Sequence, residues 1–404
     1  MIFLLVKLGR TVIFIMMMLA MLFVGGCGGS GGASKDSVGT DKIGEAKFGM
    51  VAALSGGAAN YGGWFKRGID LAVEEINGAG GITVGGKKYL LKPLFEDSQG
   101  KSDQAASVTH RLINQDSVPT ILTPSSAEGF AMMAFNQTKG SEFIVMCTSQ
   151  SEKFTTQGNK LIVRISTNSK TSMPEFLDLV FKYYESRKLK YDKFAVMQVN
   201  TELGASWAEA FINTTKAKGK EIVGVESYDV NGTNFYNQLT NLISKNPDVI
   251  ILTTVDQASL IVIKQAQELG YKGKFINSAA GNSNVLISLA DKPERLENMI
   301  VECNLAALEI TPEVISVRDK ILTKYKEPPH SVLYSAYDGV KIMARAMEIA
   351  GTTTDARAIR ASMPQAFKDA KTITGMKDLD ETGEIVFPRY VAAIEGGKTV
   401  GFVK

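Results

Sequence analysis

The sequence predicts an α/β protein built as two doubly wound lobes, each a parallel sheet covered by helices. Apolar runs of strand length alternate with segments of helical spacing along nearly the whole chain, the pattern of strand-helix-strand units around a parallel sheet. This alternation comes as two series, one reaching Cys147 and the next starting after Leu161 to Ile165. The chain is also too long for one core, since about 375 residues remain behind an N-terminal leader, beyond the size at which a single core keeps growing.

Lys47 to Leu54 reads as a strand, and Phe65, Ile69, Ala72, Val73 and Ile76 then fall on one helical face. Gly80-Gly81 breaks the chain before a strand at Tyr89 to Glu96. A helix near Asp103 to Asn114, a strand Thr120 to Thr123, a helix from about Ala127 and a strand Phe143 to Cys147 complete the first series. The second runs helix Met173 to Arg187, strand Phe194 to Val199, helix Ala205 to Lys218, strand Glu221 to Glu226 and helix Phe235 to Lys245. Strand Val249 to Thr253, helix Gln257 to Leu269 and strand Lys274 to Asn277 close it. A strand Met299 to Glu302, helices near Glu313 to Tyr325 and Tyr334 to Ala350, and an antiparallel end from Ile385 to Val403 follow. In that end Gly396-Gly397 is placed for a two-residue hairpin turn.

The N-terminus has a separate logic. Lys7 and Arg10 precede Thr11 to Val24, fourteen residues without a charge, which matches the basic and apolar regions of a secretory leader. A spanning helix needs about 20 apolar residues, and the two cations interrupt any longer run. Val24-Gly25-Gly26-Cys27 resembles the lipobox of bacterial lipoproteins, with valine where leucine is usual. That resemblance implies a leader over 1–26 and lipidation of Cys27, and the Gly/Ser-rich stretch after it reads as a flexible tether over 27–45.

Without Lys7 and Arg10, 43 basic side chains stand against 42 acidic ones. So even a balance implies neither nucleic acid nor an acidic surface as partner. Beyond Cys27 the cysteines are Cys147 and Cys303, which lack metal-ligand spacing and are either free or bridged. His110 sits in a helical segment and His330 follows Pro328-Pro329, so both read as structural.

Ligands of open α/β sheets bind beyond the carboxyl ends of the strands, where helix N-termini expose backbone N–H groups. Two such ends stand out: Pro124-Ser125-Ser126-Ala127-Glu128 after the Thr120 strand, and Thr148-Ser149-Gln150-Ser151-Glu152 after the Phe143 strand. Each carries S-x-x-E, the spacing of a capping box. Together they offer hydroxyls and amides to one crevice, suited to a carboxylate or similar polar group. The glycine-rich turn Ser55 to Gly63 lacks the G-x-G-x-x-G spacing, no Walker lysine or H-E-x-x-H motif occurs, and no strand end carries a G-x-S-x-G elbow. A binding protein is expected, with no catalytic residue, cofactor or metal.

The succession ALSGGAANYGGWFKRGIDLAVEEINGAGGI, FEDSQGKSDQAASVTHRLI, ILTPSSAEGFAM, CTSQSEKFTTQGNKLIVRIS and YSAYDGVKIMARAM resembles the type I periplasmic binding proteins. It is most similar to their leucine/isoleucine/valine-binding branch, which feeds ABC importers. The resemblance covers nearly all of 46–404 and implies a three-segment hinge, with crossings near Ser166 to Thr171, Cys303 to Asn304 and Thr374 to Lys377. It implies a first lobe of 46–168 plus 304–375 and a second of 169–303 plus 376–404. In the first lobe it places Tyr61 at the cleft wall, Ser126 where a hydroxyl meets the ligand carboxylate, with Ser125 and Ala127 beside it as ligand-binding residues, and Thr148, Ser149 and Gln150 in the loop around carboxylate and amine.

The second lobe departs from that pattern. Leu203 and Val255 stand where amino-acid binders carry aromatics, and Ala279 stands where an acidic residue pairs with the ligand ammonium. Glu202 or Asp256, each beside a cleft position, could replace that charge. The implied function is a lipid-anchored, extracytoplasmic substrate-binding protein of an ABC permease, taking a branched-chain or neutral amino acid. The alternatives are a carboxylate or amide without an α-amine, or a ligand sensor without a transport role.

Overall fold

A computed structural model describes residues 43–229, 232–253, 256–278, 282–388 and 390–402, apart from the side chains of Leu203, Asp256 and Phe402. Cys27, its lipobox and all of the tether but its last three residues lie outside the described residues.

The first lobe follows the expected alternation. Strand β1 (Gly44–Ala52) leads to helix α1 (Ala59–Gly78), and a short hairpin of β2 (Ile82–Val84) and β3 (Lys87–Asp97) to α2 (Ser102–Asp116). Then come β4 (Thr120–Thr123), α3 (Ser126–Met133), β5 (Ile144–Cys147), the one-turn α4 (Lys153–Thr156) and β6 (Ile162–Arg164). The sheet order is β2-β3-β1-β4-β5-β6, parallel throughout except for β2. Every residue of β4 and β5 is buried. That is why these strands read as unbroken apolar runs, for a parallel sheet is covered on both faces. β2 carries too few residues to show a period of its own.

The second lobe opens with α5 (Ser169–Ser186), whose N-cap Asn168 accepts from the N–H groups of Lys170 and Thr171. It continues through β7 (Lys193–Val199), α6 (Glu202–Ala217), β8 (Glu221–Tyr228), α7 (Tyr236–Ile243), β9 (Val249–Leu252) and α8 (Asp256–Glu268). β10 (Lys274–Asn277), α9 (Ser283–Leu289) and β11 (Met299–Cys303) complete its first pass. Phe194 and Val196 of β7 pack on one face of the sheet while Ala195 and Met197 pack on the other, the period-two alternation of a strand buried on both sides.

Helices α10 (Pro312–Tyr325), α11 (Ser331–Ala350) and α12 (Ala356–Asp369) return to the first lobe. A ribbon of β12 (Lys377–Leu379) and β13 (Ile385–Val386) follows, and then β14 (Tyr390–Glu395) and β15 (Lys398–Phe402) join the second sheet. The second sheet runs β15-β14-β11-β10-β9-β7-β8, with β14 and β15 antiparallel to their neighbours. The turn Gly396-Gly397 has φ of 55° and 70°, the two left-handed positions of a type I′ hairpin that residues with a Cβ resist.

One helix adds to the expected elements, and one expectation needs correction. α12 has no counterpart in the sequence reading, because Pro364 lies inside it and masks the helical pattern. The ribbon β12-β13 belongs with the first lobe, not the second. Met376, Leu379 and Ile385 are buried in the first lobe's core. Arg360 also donates to the carbonyls of Ile162 at 3.0 Å and Asp380 at 3.1 Å. The third crossing therefore follows Phe387, which still packs on that core, instead of falling at Thr374 to Lys377. Cys147 and Cys303 are both buried free thiols.

Candidate ligand-binding cleft

In each sheet the strand order reverses beside the first strand of its series, between β1 and β4 in one lobe and between β7 and β9 in the other. The carboxyl ends at these two switch points, Ala53 and Pro124 on one side and Val199 and Thr253 on the other, line one cavity of about 320 Å³. Each lobe thus contributes the crevice that a doubly wound sheet leaves open. The first turns of α1, α3, α6 and α8 and the cap of α11 border it. Backbone N–H groups in a helix's first turn have no intrahelical acceptor, so this border favours an anionic group.

Among the expected site residues, Tyr61, Ser125, Ser126, Ala127, Thr148 and Gln150 line the cavity. Ser149 is one layer deeper, where its Oγ accepts from Ser126 Oγ at 3.0 Å and from the Ser151 N–H at 3.3 Å. The backbone of Leu203 lies in α6 and that of Asp256 opens α8, but their side chains, with Val255 and Ala279, lie outside the described residues. Glu202 does reach the cleft, and its Oε1 lies 3.1 Å from Ser151 Oγ and 3.8 Å from Lys153 Nζ across the gap between lobes.

The two S-x-x-E runs come apart. Ser125 caps α3, accepting from the Glu128 N–H at 3.4 Å. The Glu128 carboxylate does not reach back to it. Instead it turns inward and accepts from Ser98 Oγ and, at 2.7 Å, from Thr123 Oγ1. Burial pushes the Glu128 carboxyl above its ordinary range, opposed by those two hydroxyls. In the other run Ser149 caps no helix, since Glu152 is the residue flanking α4 and has no side-chain cap bond.

The cleft also contains residues that the sequence reading passed over. His330 is buried, accepts the Val332 N–H on Nδ1 at 3.1 Å to cap α11, and stands edge-on to the Tyr61 ring with centroids 5.2 Å apart. It is structural, as read, yet it also forms cavity wall. Thr201 caps α6 through the Gly204 N–H, and Gln257 and Leu289 add a polar and an apolar group from the second lobe. Only the position of Thr201 just after a strand could have signalled any of these.

Donors and acceptors therefore occur together. Ser126 and Ala127 occupy the first turn of α3, where N–H groups seek an outside acceptor. Thr148 Oγ1 donates to the Pro124 carbonyl at 2.7 Å, which leaves its lone pairs for a donor. Gln150 is 5% exposed and its Oε1 has no hydrogen-bond partner among the described residues. Its side chain also borders a void of about 40 Å³ that runs toward the hinge between Thr167, Cys303 and Asn304. Among the described lining residues the carboxyls are Glu128 and Glu202.

A sequence profile of the periplasmic binding protein family matches residues 45–398. The chain belongs to that family. Its members bind substrates and do not form an enzyme family. Leu/Ile/Val-binding protein homolog 8 of Brucella abortus is 27% identical over 255 residues, which take in 62% of this chain and 62% of that relative. Homolog 7 of the same organism is 25% identical over 317 residues, 74% of this chain and 76% of that one. Among solved structures, a leucine-binding protein of Thermotoga maritima superposes with a TM-score of 0.74 at 20% identity, covering 88% of this chain and 97% of that one. The branched-chain amino acid binding protein of Streptococcus pneumoniae, in complex with isoleucine, gives 0.74 at 24% identity, 88% of this chain and 97% of that one. A solute-binding protein of R. palustris in complex with benzoate also gives 0.74, at 18% identity over 89% of this chain and 95% of that one. This binding protein thus has the type I fold of its family.

Proposed function

We propose that this chain is the substrate-binding component of an ABC importer and takes a neutral amino acid with an apolar side chain into the interlobe cleft. The observation that carries the reading is a dipolar site. The α3 N-terminus offers N–H donors, and close to it stand acceptors: the lone pairs of Thr148 Oγ1, the unpartnered Oε1 of Gln150 and the Glu202 carboxylate. A carboxylate on the first and an ammonium on the second would satisfy both, and a buried ammonium needs such compensation. Ala53, Ala58, Val199 and Leu289 provide apolar wall for the side chain. Leu203 and Val255 belong to this proposal as further apolar wall, and Ala279 as the place from which Glu202 or Asp256 takes over the charge.

Ligand binding to the first lobe followed by closure of the second supplies the signal that a permease reads, because only a ligand that favours the closed form shifts that equilibrium. The leader and lipobox-like run support secretion and anchoring through Cys27 on the outer face of a membrane. The family and its branched-chain-binding homologs support the importer role. A sensor would keep the same cleft and fail to stimulate a permease.

One observation favours a second reading, a carboxylate that lacks the amine. Glu202 is already engaged by Ser151 and lies 3.8 Å from Lys153, so its charge is partly answered within the protein. A neighbour of the same fold holds benzoate. Calorimetric titration of leucine against its keto-acid analogue decides between them, with Glu202→Gln and Asp256→Asn alongside. Tight leucine binding that one of these variants abolishes supports the amino acid. Binding of the keto acid alone removes that assignment.

A further inference from the structure

We propose that Arg164 and Glu384 are positioning residues of the cleft: an ion pair on a buried arginine that aims the Gln150 backbone N–H at the ligand and ties it to the first and third crossings.

Arg164 ends β6 with its side chain wholly buried. Its Nη1 donates to the Ser149 carbonyl, and its Nη2 donates to the Ser151 carbonyl at 2.8 Å and to Thr155 Oγ1 at 3.2 Å. Its Nε stands 2.8 Å from Glu384 Oε1. A lysine could not replace it, because only the planar fork presents several donors in fixed directions. The intervening carbonyl of Gln150 is held as well, by the N–H of Ser169 at 2.9 Å and its Oγ at 2.7 Å. Three consecutive carbonyls are thus bound by the protein.

In a planar trans peptide the C=O and the next N–H point in opposite directions. With the Ser149 carbonyl held on Arg164, the Gln150 N–H must point away from the guanidinium, and Gln150 is itself a lining residue of the cleft. Ser166 Oγ, at the first crossing, donates to the same carbonyl at 2.9 Å and reinforces that orientation. Arg164 therefore acts on the ligand without touching it.

Glu384 brings in the hinge. It lies on the ribbon that precedes the third crossing, and its Oε2 accepts from Thr155 Oγ1 at 2.8 Å and from Asn168 Nδ2 at 2.9 Å. Asn168 is the cap of α5, the first helix beyond the first crossing. One carboxylate thus joins the segment before the third crossing, the helix after the first, and the arginine that sets the binding loop. Rotation of the lobes about those crossings is felt at the Gln150 peptide.

The inference rests on the reading of the cleft as the ligand site, so its test has one arm that needs no ligand. Glu384→Gln keeps the shape and removes the charge, Arg164→Lys keeps the charge and removes the fork, and both are made in the full chain. Amide hydrogen exchange in ligand-free protein is expected to rise at least tenfold across 147–152 and 166–172 in either variant, while β7 is unchanged. Affinity for leucine is expected to fall at least tenfold. Unchanged exchange in both segments overturns the proposal, as does faster exchange with full affinity. If wild type ignores leucine, the ligand assignment fails and the exchange arm still decides this one. Arg164→Lys behaving like wild type in that arm also overturns it. Should Arg164→Lys fail to fold, Glu384→Gln alone carries the decision.

Discussion

Ser125 and Ser126 are adjacent serines with different partners, so replacing each by alanine separates helix capping from ligand binding. Ser125 Oγ accepts from the Glu128 N–H at 3.4 Å, the long end for such a bond. Losing an N-cap costs about 0.5 to 2 kcal/mol, and this distance points to the lower half of that range. Ser126 Oγ is not a cap. It donates to Ser149 Oγ at 3.0 Å, and Ser149 keeps the Ser151 N–H when it is gone, so the free protein loses about 1 kcal/mol. Both variants should therefore melt within a few degrees of wild type. They differ once ligand is present. On binding, the Ser126 proton turns from Ser149 to the charged head group, a bond of about 1.5 to 3 kcal/mol set against the roughly 1 kcal/mol given up, so Ser126→Ala should weaken binding roughly three- to thirtyfold. Ser125→Ala should change it less than about threefold. Isothermal titration with the ligand retained through purification measures the affinities, and differential scanning calorimetry the stabilities. Equal affinity losses in the two variants, or full affinity in Ser126→Ala, would refute the assignment of the head group to Ser126.

A methyl group at Gly68 would lie 2.2 Å from the Leu333 carbonyl oxygen, where α1 crosses α11. Gly68→Ala should thus destabilise by about 1 to 3 kcal/mol despite its helix propensity, and urea denaturation at or above wild-type stability would contradict that contact. Burial pushes the Asp338 carboxyl up to about 6 against bonds from Thr374 and the Ile373 N–H, so its contribution to stability is full below about pH 4 and is lost as pH rises through 6. Relative to Asp338→Asn, wild type should gain about 1.3 kcal/mol between pH 7 and pH 5, and parallel stability curves for the two proteins would remove Asp338 from the pH dependence. Cys27→Ser should yield unacylated protein, detected by intact mass and membrane fractionation; wild-type chain without an acyl mass on Cys27 would end the anchor proposal.

Much of the fold was legible because its signals are short-ranged. Thr120 to Thr123 and Lys274 to Asn277 occur as strands at the expected residues, since a few consecutive buried side chains suffice to mark a strand covered on both faces. Gly396-Gly397 specified its hairpin through backbone conformation alone. Helix α5 begins after its cap Asn168, ahead of the expected Met173, because a cap is a single residue and Ser169 to Ser172 carry no apolar period. The ribbon after Thr374 was assigned to the wrong lobe for a related reason. Its few apolar residues announce burial but not the surface that buries them.

The cleft divides along the same line. Ser125 to Ala127, Thr148 and Gln150 border the cavity, as expected from the rule that ligands meet strand carboxyl ends, which depends only on strand order, whereas Ser149 sits one layer behind it. Whether a serine there caps a helix or faces the cavity depends on angles set by packing, and the two S-x-x-E runs, alike in sequence, resolve differently. By itself the sequence determined the alternation of elements, the two lobes and the loops that border the crevice, because periodicity, turn residues and strand ends are properties of neighbours in the chain. Only the tertiary structure decided that Glu128 turns inward, that Glu202 meets Ser151 across the gap, and that Arg164 finds Glu384. Those contacts join residues far apart in sequence, and each depends on the net position of every element packed between them.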